Sequence, residues 1–165
     1  MLEFDDTASM MKFDDLCTQF ECGSFGTYAS ILEIVRENGG KRVFDIGCAF
    51  GYQSEVARMM GMSYVGIEGF FDFDKFWNED EFEYIRKVYP FKIHTSATDV
   101  AISKLCIGWN CFKFEDDTYR KQLEALARDF KTVVLYTTKE FTELAKHFFN
   151  VEEVDENLYL LKRRD

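Results

Sequence analysis

The segment FDIGCAFG places an acidic residue, Asp45, just ahead of a turn made of Gly47, Cys48, Ala49, Phe50 and Gly51. The small residues among these let a backbone approach a bound molecule closely, and the helix after such a turn brings N–H donors that lack intrahelical partners. Glu68 follows Gly47 by twenty-one residues, near the separation at which a second-strand carboxylate meets the two hydroxyls of a ribose. Turn and carboxylate together describe a pocket for a nucleoside-containing cofactor, at the C-terminal ends of strands in an open α/β sheet. A dinucleotide fingerprint needs glycine at its first, third and sixth places. Here those are Gly47, Ala49 and Tyr52, and the tyrosine weakens a nicotinamide-dependent oxidoreductase reading.

The surrounding pattern supplies elements to hold such a pocket. SILEIVRENGG sets Ile31, Ile34 and Val35 on one helical face, with Gly39 where a left-handed cap would end it. KRVFDIG reads as a buried strand, QSEVARMMG as a helix with Val56 and Met60 inward and Gly61 closing it, and SYVGIEG as a second strand. FFDFDKFWNEDEFEYIRKVYP is helical in period, with Phe82, Ile85 and Val88 or Tyr89 inward. FKIH reads as a short edge strand and DVAISKL as the next strand. Too few residues separate the two for a helical crossover, so either a helix is missing or FKIH is not a parallel strand.

From Asp116 a helix follows with Tyr119, Leu123, Leu126 and Phe130 inward, then the strand KTVVLYT. Thr137 and Glu140 have capping-box spacing before a helix with Phe141, Leu144 and Phe148 inward. VEEV and NLYLLKR form a hairpin around Asp155-Glu156-Asn157. The expected fold is α/β: an open, mostly parallel twisted sheet with helices on both faces, a C-terminal antiparallel β-hairpin and one antiparallel edge strand.

The form acid-x-Gly-x-small-x-Gly at Asp45 to Gly51 resembles the first motif of the class I, Rossmann-like S-adenosylmethionine-dependent methyltransferases. The resemblance runs from the helix at Ser30 to the terminal hairpin. It implies S-adenosylmethionine as cofactor and methyl transfer as activity. It also implies that Asp45 helps hold the methionine end, that the turn faces the cofactor, and that Glu68 takes the ribose hydroxyls. Gly69 and Phe70 would border the adenine. The fourth strand would bring Asp99 to the cofactor and Ser103 to the substrate side, where Trp109 and Asn110 touch substrate or pack in the core. Two departures stand out: Ala49 replaces the more frequent middle glycine, and the chain is shortened around the third strand, before Asp99.

Ser103 and His94 are the candidate catalytic side chains, and no strong general base declares itself. A non-catalytic member, acting as a cofactor-binding partner subunit, is the alternative. Residues 1–27 form an expected helical or lid segment and residues 28–165 the cofactor-binding domain. Phe4, Phe13, Phe20 and Phe25, with the segment 70–77, would make an aromatic lid for a small acceptor or simply cover the sheet.

Bulk properties bound these readings. The 165 residues, 47% apolar, with one proline and no linker-like tract, fit one domain. Thirty acidic against twenty basic side chains leave a net charge of −10, which repels phosphate backbones and anionic membranes. A small-molecule or other non-nucleic-acid acceptor is therefore expected. The acidic N-terminus lacks a secretion signal and no stretch approaches the roughly 20 apolar residues of a membrane span, so a cytoplasmic location is expected. Five cysteines argue against a disulfide framework. The four-residue gaps of Cys17/Cys22 and Cys106/Cys111 fit zinc poorly, so no metal is expected.

Overall fold

Short apolar runs alternating with longer helical periods become seven strands and four α-helices in the described part of the computed structural model, residues 25–49, 51, 53–69 and 82–165. In chain order these are α1 (Phe25–Glu37), β1 (Arg42–Ile46), α2 (Ser54–Met59), β2 (Ser63–Ile67), β3 (Glu83–Ile85) and β4 (Asp99–Lys104). A 3₁₀ turn at Asn110–Phe112 leads into α3 (Thr118–Asp129), β5 (Thr132–Tyr136), α4 (Lys139–Ala145), β6 (Phe149–Asp155) and β7 (Leu158–Arg163).

The strands lie in the order β3-β2-β1-β4-β5-β7-β6. From β3 to β5 all neighbours are parallel, while β7 runs antiparallel to both β5 and β6. The antiparallel strand thus stands one place in from the edge, and β6 is the edge itself. Winding goes outward from β1 through β2 to β3, then restarts at β4 on the other side of β1. Such a reversal opens a crevice beyond the C-terminal ends of the two central strands.

Each strand alternates its side chains between two cores. On one face Val43, Tyr64, Val100, Ile102 and Val134 pack with Ile31, Leu32 and Val35 of α1 and Ala57 of α2. On the other, Phe44, Ile46, Val65, Ile67, Ala101 and Val133 pack under Tyr119, Leu123, Leu126 and Phe130 of α3 and Phe141 and Ala145 of α4. Among the described residues no helix is long and apolar enough to cross a membrane.

The structure departs from the sequence pattern in four places. Residues 83–85 are a strand and not the end of a helix: Phe82 and Tyr84 turn to one core, Ile85 to the other, the period-two signature of a strand. FKIH is irregular and not the short edge strand its pattern suggests, while the connection 86–98 reaches β4 without a helix, in keeping with the expected shortening around the third strand. Helix α1 begins at Phe25, ahead of Ser30, where the SILEIVRENGG pattern opens. Phe4, Phe13, Phe20, the side chain of Phe25 and the segment 70–77 lie outside the described residues.

The fourth difference is a cap displaced by one residue. Thr138, extended at φ −85° and ψ 154°, is the N-cap of α4 and accepts a hydrogen bond from the Phe141 N–H. Thr137 is fully buried and donates to the Ile107 carbonyl at 2.6 Å, and Leu144 faces solvent. Thr138→Ala should lower unfolding stability by about 1 kcal/mol in urea; an unchanged midpoint would show that the cap lies elsewhere.

Candidate functional site

Asp45 is the last but one residue of β1 and is fully buried, on the face covered by α1 and α2. Its Oδ2 accepts from Gln53 Nε2 and from the Tyr64 hydroxyl, each at 2.5 Å. Its Oδ1 is buried with no hydrogen-bond partner. Burial pushes the carboxyl up to about 6, against the pull of the two donors and of the nearby Lys104 charge. Gln53 also donates to the Cys48 carbonyl at 2.9 Å, so one carboxamide fixes both the acid and the turn.

The turn is stitched to β2. Gly47 and Cys48 N–H both donate to the Ile67 carbonyl, Gly51 N–H to the Cys48 carbonyl, and Ser54 N–H to the Gly51 carbonyl. These donors are therefore spent on the turn and are not left for a ligand. Gly47 has φ +80°, and a Cβ there would lie 2.5 Å from Cys106 Cβ. Its missing side chain makes room for the loop after β4. Ala49, where a glycine is more frequent, adopts φ +50°, a conformation that costs an L-residue roughly 1–2 kcal/mol. Cys48 points into the core, and burial raises its thiol well above the range of a nucleophile. Phe50 and Phe70 lie outside the described residues.

Glu68 caps the end of β2. Its side chain is more buried than its expected role implied, at 7% exposure, and Oε2 accepts from the Gly69 N–H at 3.0 Å. It lines a cleft on the α3 side of the strand ends, with Ile46, Gly47, Ile67, Gly69, Cys106 and Ile107 around it. Lys87, Val88 and Tyr89 form the opposite wall, and a Cβ at Gly69 would lie 2.4 Å from their backbone. The cleft measures about 270 Å³ with its mouth, yet its closed interior is about 10 Å³, room for no more than a water. Ligand sites of drug size span about 300–1,000 Å³, so the cleft as it stands is too tight for a nucleoside.

The loop after β4 is held from below. Ser103 is fully buried, and its hydroxyl accepts from the Ile107 N–H at 3.1 Å, which makes it a support for the loop and not a catalytic group. Leu105 takes φ +59°, an outlier for a bulky residue, while its N–H bonds to the Tyr136 carbonyl. Trp109 stacks on Tyr136 and donates its indole N–H to the same carbonyl, and Asn110 accepts from the Tyr119 hydroxyl. Both follow the C-terminal end of β4, with these polar atoms turned to the scaffold. Lys104, which the sequence pattern did not single out, is 3% exposed, with its ammonium 5.4 Å from the Tyr28 ring centre and 6.0 Å from that of Tyr136.

Two expected site residues lie at the wrong end. Asp99 opens β4, so its carboxylate sits at the N-terminal edge of the sheet, bidentate to Arg42 at 3.1 and 2.8 Å and accepting from the Ser96 N–H. Those partners hold its carboxyl below the usual range despite burial. His94 is exposed, beside Thr95, whose hydroxyl donates to the Asp129 carbonyl at the far end of α3. Neither can reach the crevice.

The same architecture occurs in solved methyltransferases. A TehB-like SAM-dependent methyltransferase from Corynebacterium glutamicum superposes with a TM-score of 0.61 at 14% identity, over 95% of this chain and 97% of its own. A candidate RNA methyltransferase from Pyrococcus horikoshii gives 0.62 at 16%, over 85% of each chain. The methyltransferase domain of a bacterial Hen1 gives 0.62 at 14%, over 82% of this chain and 97% of its own. No protein-family model and no curated protein sequence matches. The chain has the class I methyltransferase fold, and identities this low carry the likeness no further than the fold.

Asp45 makes a test of its own. Its folded-state pKa, about 6, lies above the unfolded value near 4, so the folded state holds the extra proton between them and stability falls as pH rises through that window. Asp45→Asn keeps an acceptor for Gln53 and Tyr64 and sheds the charge. It should raise unfolding stability in urea by about 1–3 kcal/mol at pH 8, with the gain shrinking toward pH 4. A less stable variant at pH 8 would mean that the carboxylate stabilises the fold.

Proposed function

We propose that this chain binds S-adenosylmethionine across the ends of β1, β2 and β4 and transfers its methyl group to a small-molecule or other non-nucleic-acid acceptor. The observation that carries the reading is Asp45, a buried carboxylate with one oxygen lacking a donor, at the turn where methyltransferases of this fold meet the methionine end of the cofactor. An ammonium group is the chemistry that such an oxygen fits. Glu68, beyond the neighbouring strand, would take the ribose hydroxyls. Gly47, two residues after Asp45, lines the cleft beside Glu68 and so lies between the two acids.

When bound, the cofactor supplies a methyl group on a sulfonium centre, already activated for displacement. The chain's part is to orient it and the acceptor, which is worth several kcal/mol. Gln53 and Tyr64 fix the carboxylate of Asp45, and the 105–109 loop, tied down by Ser103, Thr137 and Thr138, forms the floor beside it. Neither Ser103 nor His94 is placed to take a proton, which favours an acceptor already nucleophilic at neutral pH. The charge of −10 supports a non-nucleic-acid acceptor. The narrow cleft favours a second reading, a partner subunit that binds cofactor without turning it over.

Saturating S-adenosylhomocysteine, at about 100 times its Kd, should stabilise the protein by roughly 2.7 kcal/mol and raise Tm by about 5–10 °C, while NADH leaves it unmoved. Glu68→Ala should weaken that binding by about tenfold through loss of charge-assisted hydrogen bonds. No shift at millimolar S-adenosylhomocysteine, in protein shown to be folded, rejects the reading. A shift without methyl transfer to any acceptor selects the partner-subunit form.

A further inference from the structure

The cleft beside Glu68 contains a polar group with no task so far. Gln122 stands one turn into α3, faces the sheet and is 5% exposed. Its Oε1 is buried with no hydrogen-bond donor, and Gln122 lines the same cleft as Glu68. A buried acceptor left unpaired destabilises a fold, whereas an apolar side chain of the same shape would not. The other positions that α3 turns to the sheet, Tyr119, Leu123 and Leu126, are aromatic or aliphatic, so a carboxamide here departs from the helix's own pattern.

The nearby groups do not satisfy it. Ile46, Ile67 and Ile107 are aliphatic, and the Lys87 ammonium lies over the Phe91 ring at 5.1 Å. The Tyr89 hydroxyl is also unpaired, but the charges it feels are Asp129 and Arg128, at the far end of α3. Gln122 is therefore the buried acceptor left to the cleft, between aliphatic side chains suited to the faces of a flat ring.

We propose that Gln122 is the base-reading residue of the nucleoside site, its Oε1 accepting from the exocyclic amino group of a 6-aminopurine whose ribose is held by Glu68. The assignment rests on the cofactor reading above and deepens it: the base is selected from α3, by a side chain, against a 6-oxopurine that presents an acceptor where a donor is needed. Two acceptors brought together in a dry cleft repel, and the carboxamide would have to turn over to avoid it.

Gln122→Met keeps the length of the side chain and removes the acceptor. Calorimetric titration of wild type should show S-adenosylhomocysteine bound roughly tenfold more tightly than its 6-oxo counterpart, S-inosylhomocysteine. In Gln122→Met the preferred ligand should bind roughly three- to tenfold more weakly and the two ligands should become nearly equal. The ligand-free variant should unfold at the same urea concentration as wild type or a higher one.

An undiminished preference in the variant overturns the proposal and leaves the cofactor reading standing. A variant that unfolds more easily overturns it too, since Oε1 would then have a structural partner. If wild type binds neither homocysteine ligand, the cofactor reading fails, and adenosine against inosine decides the rest. An adenosine preference lost in Gln122→Met upholds the base contact, and no preference in wild type removes it.

Discussion

Asp45 carries its carboxylate fully out of water at the C-terminal end of β1, the strand about which the sheet reverses its winding. Its two donors come from different elements, Tyr64 from β2 and Gln53 from the start of α2, so one charged group ties the central strand to its neighbour and to the turn between them. The bonds do not offset the burial, because the carboxyl still sits at about 6, and one oxygen has no donor. A carboxyl group held this way is the feature on which the proposed cofactor contact rests.

The loops at the strand ends are locked to one another by side chains. Gly47 has no Cβ because Cys106 occupies the space, so the turn after β1 and the loop after β4 are fitted together and neither can be re-sculpted alone. Ser103, Thr137 and Thr138 hold the second loop by its backbone, and Tyr136 offers one carbonyl to both Leu105 and Trp109. Left-handed Ala49 and Leu105 lie on these two loops and add local backbone strain to both. The opposite wall, 87–89, is an irregular segment whose Tyr89 is buried in the core that α3 covers.

Much of the fold was legible in the sequence because buried parallel strands are short apolar runs. β1, β2, β4 and β5 all read that way, and Tyr119, Leu123 and Leu126 marked α3 by spacing alone. β3 was hidden because three residues are too few to separate a period of two from one of 3.6, and it follows an acidic, aromatic tract of helical pattern. The places of the turn after β1 and of Glu68 just past β2 were legible because each follows directly from a short apolar strand. Asp99 was misplaced for a directional reason: an acid that begins a parallel strand lies at the edge of the sheet away from the site, where Arg42 at the start of β1 meets it. Gln53, Lys104 and Gln122 had no sequence signal, since each acquires its surroundings only when helix, strand and loop are brought together.

Whether the unpaired oxygen of Asp45 meets the positively charged end of S-adenosylmethionine, as proposed, is tested most directly by the titration of that one carboxyl. With aspartate labelled at its carboxyl carbon and assigned through Asp45→Asn, nuclear magnetic resonance should follow Asp45 with an apparent pKa near 6 in the free protein. Saturating S-adenosylhomocysteine should move the midpoint below 5, because an ammonium beside a buried carboxylate favours its charged form by one pKa unit or more. An Asp45 titration that is the same with and without bound ligand would contradict the account, and would leave the acid as a structural tie between β1, β2 and α2.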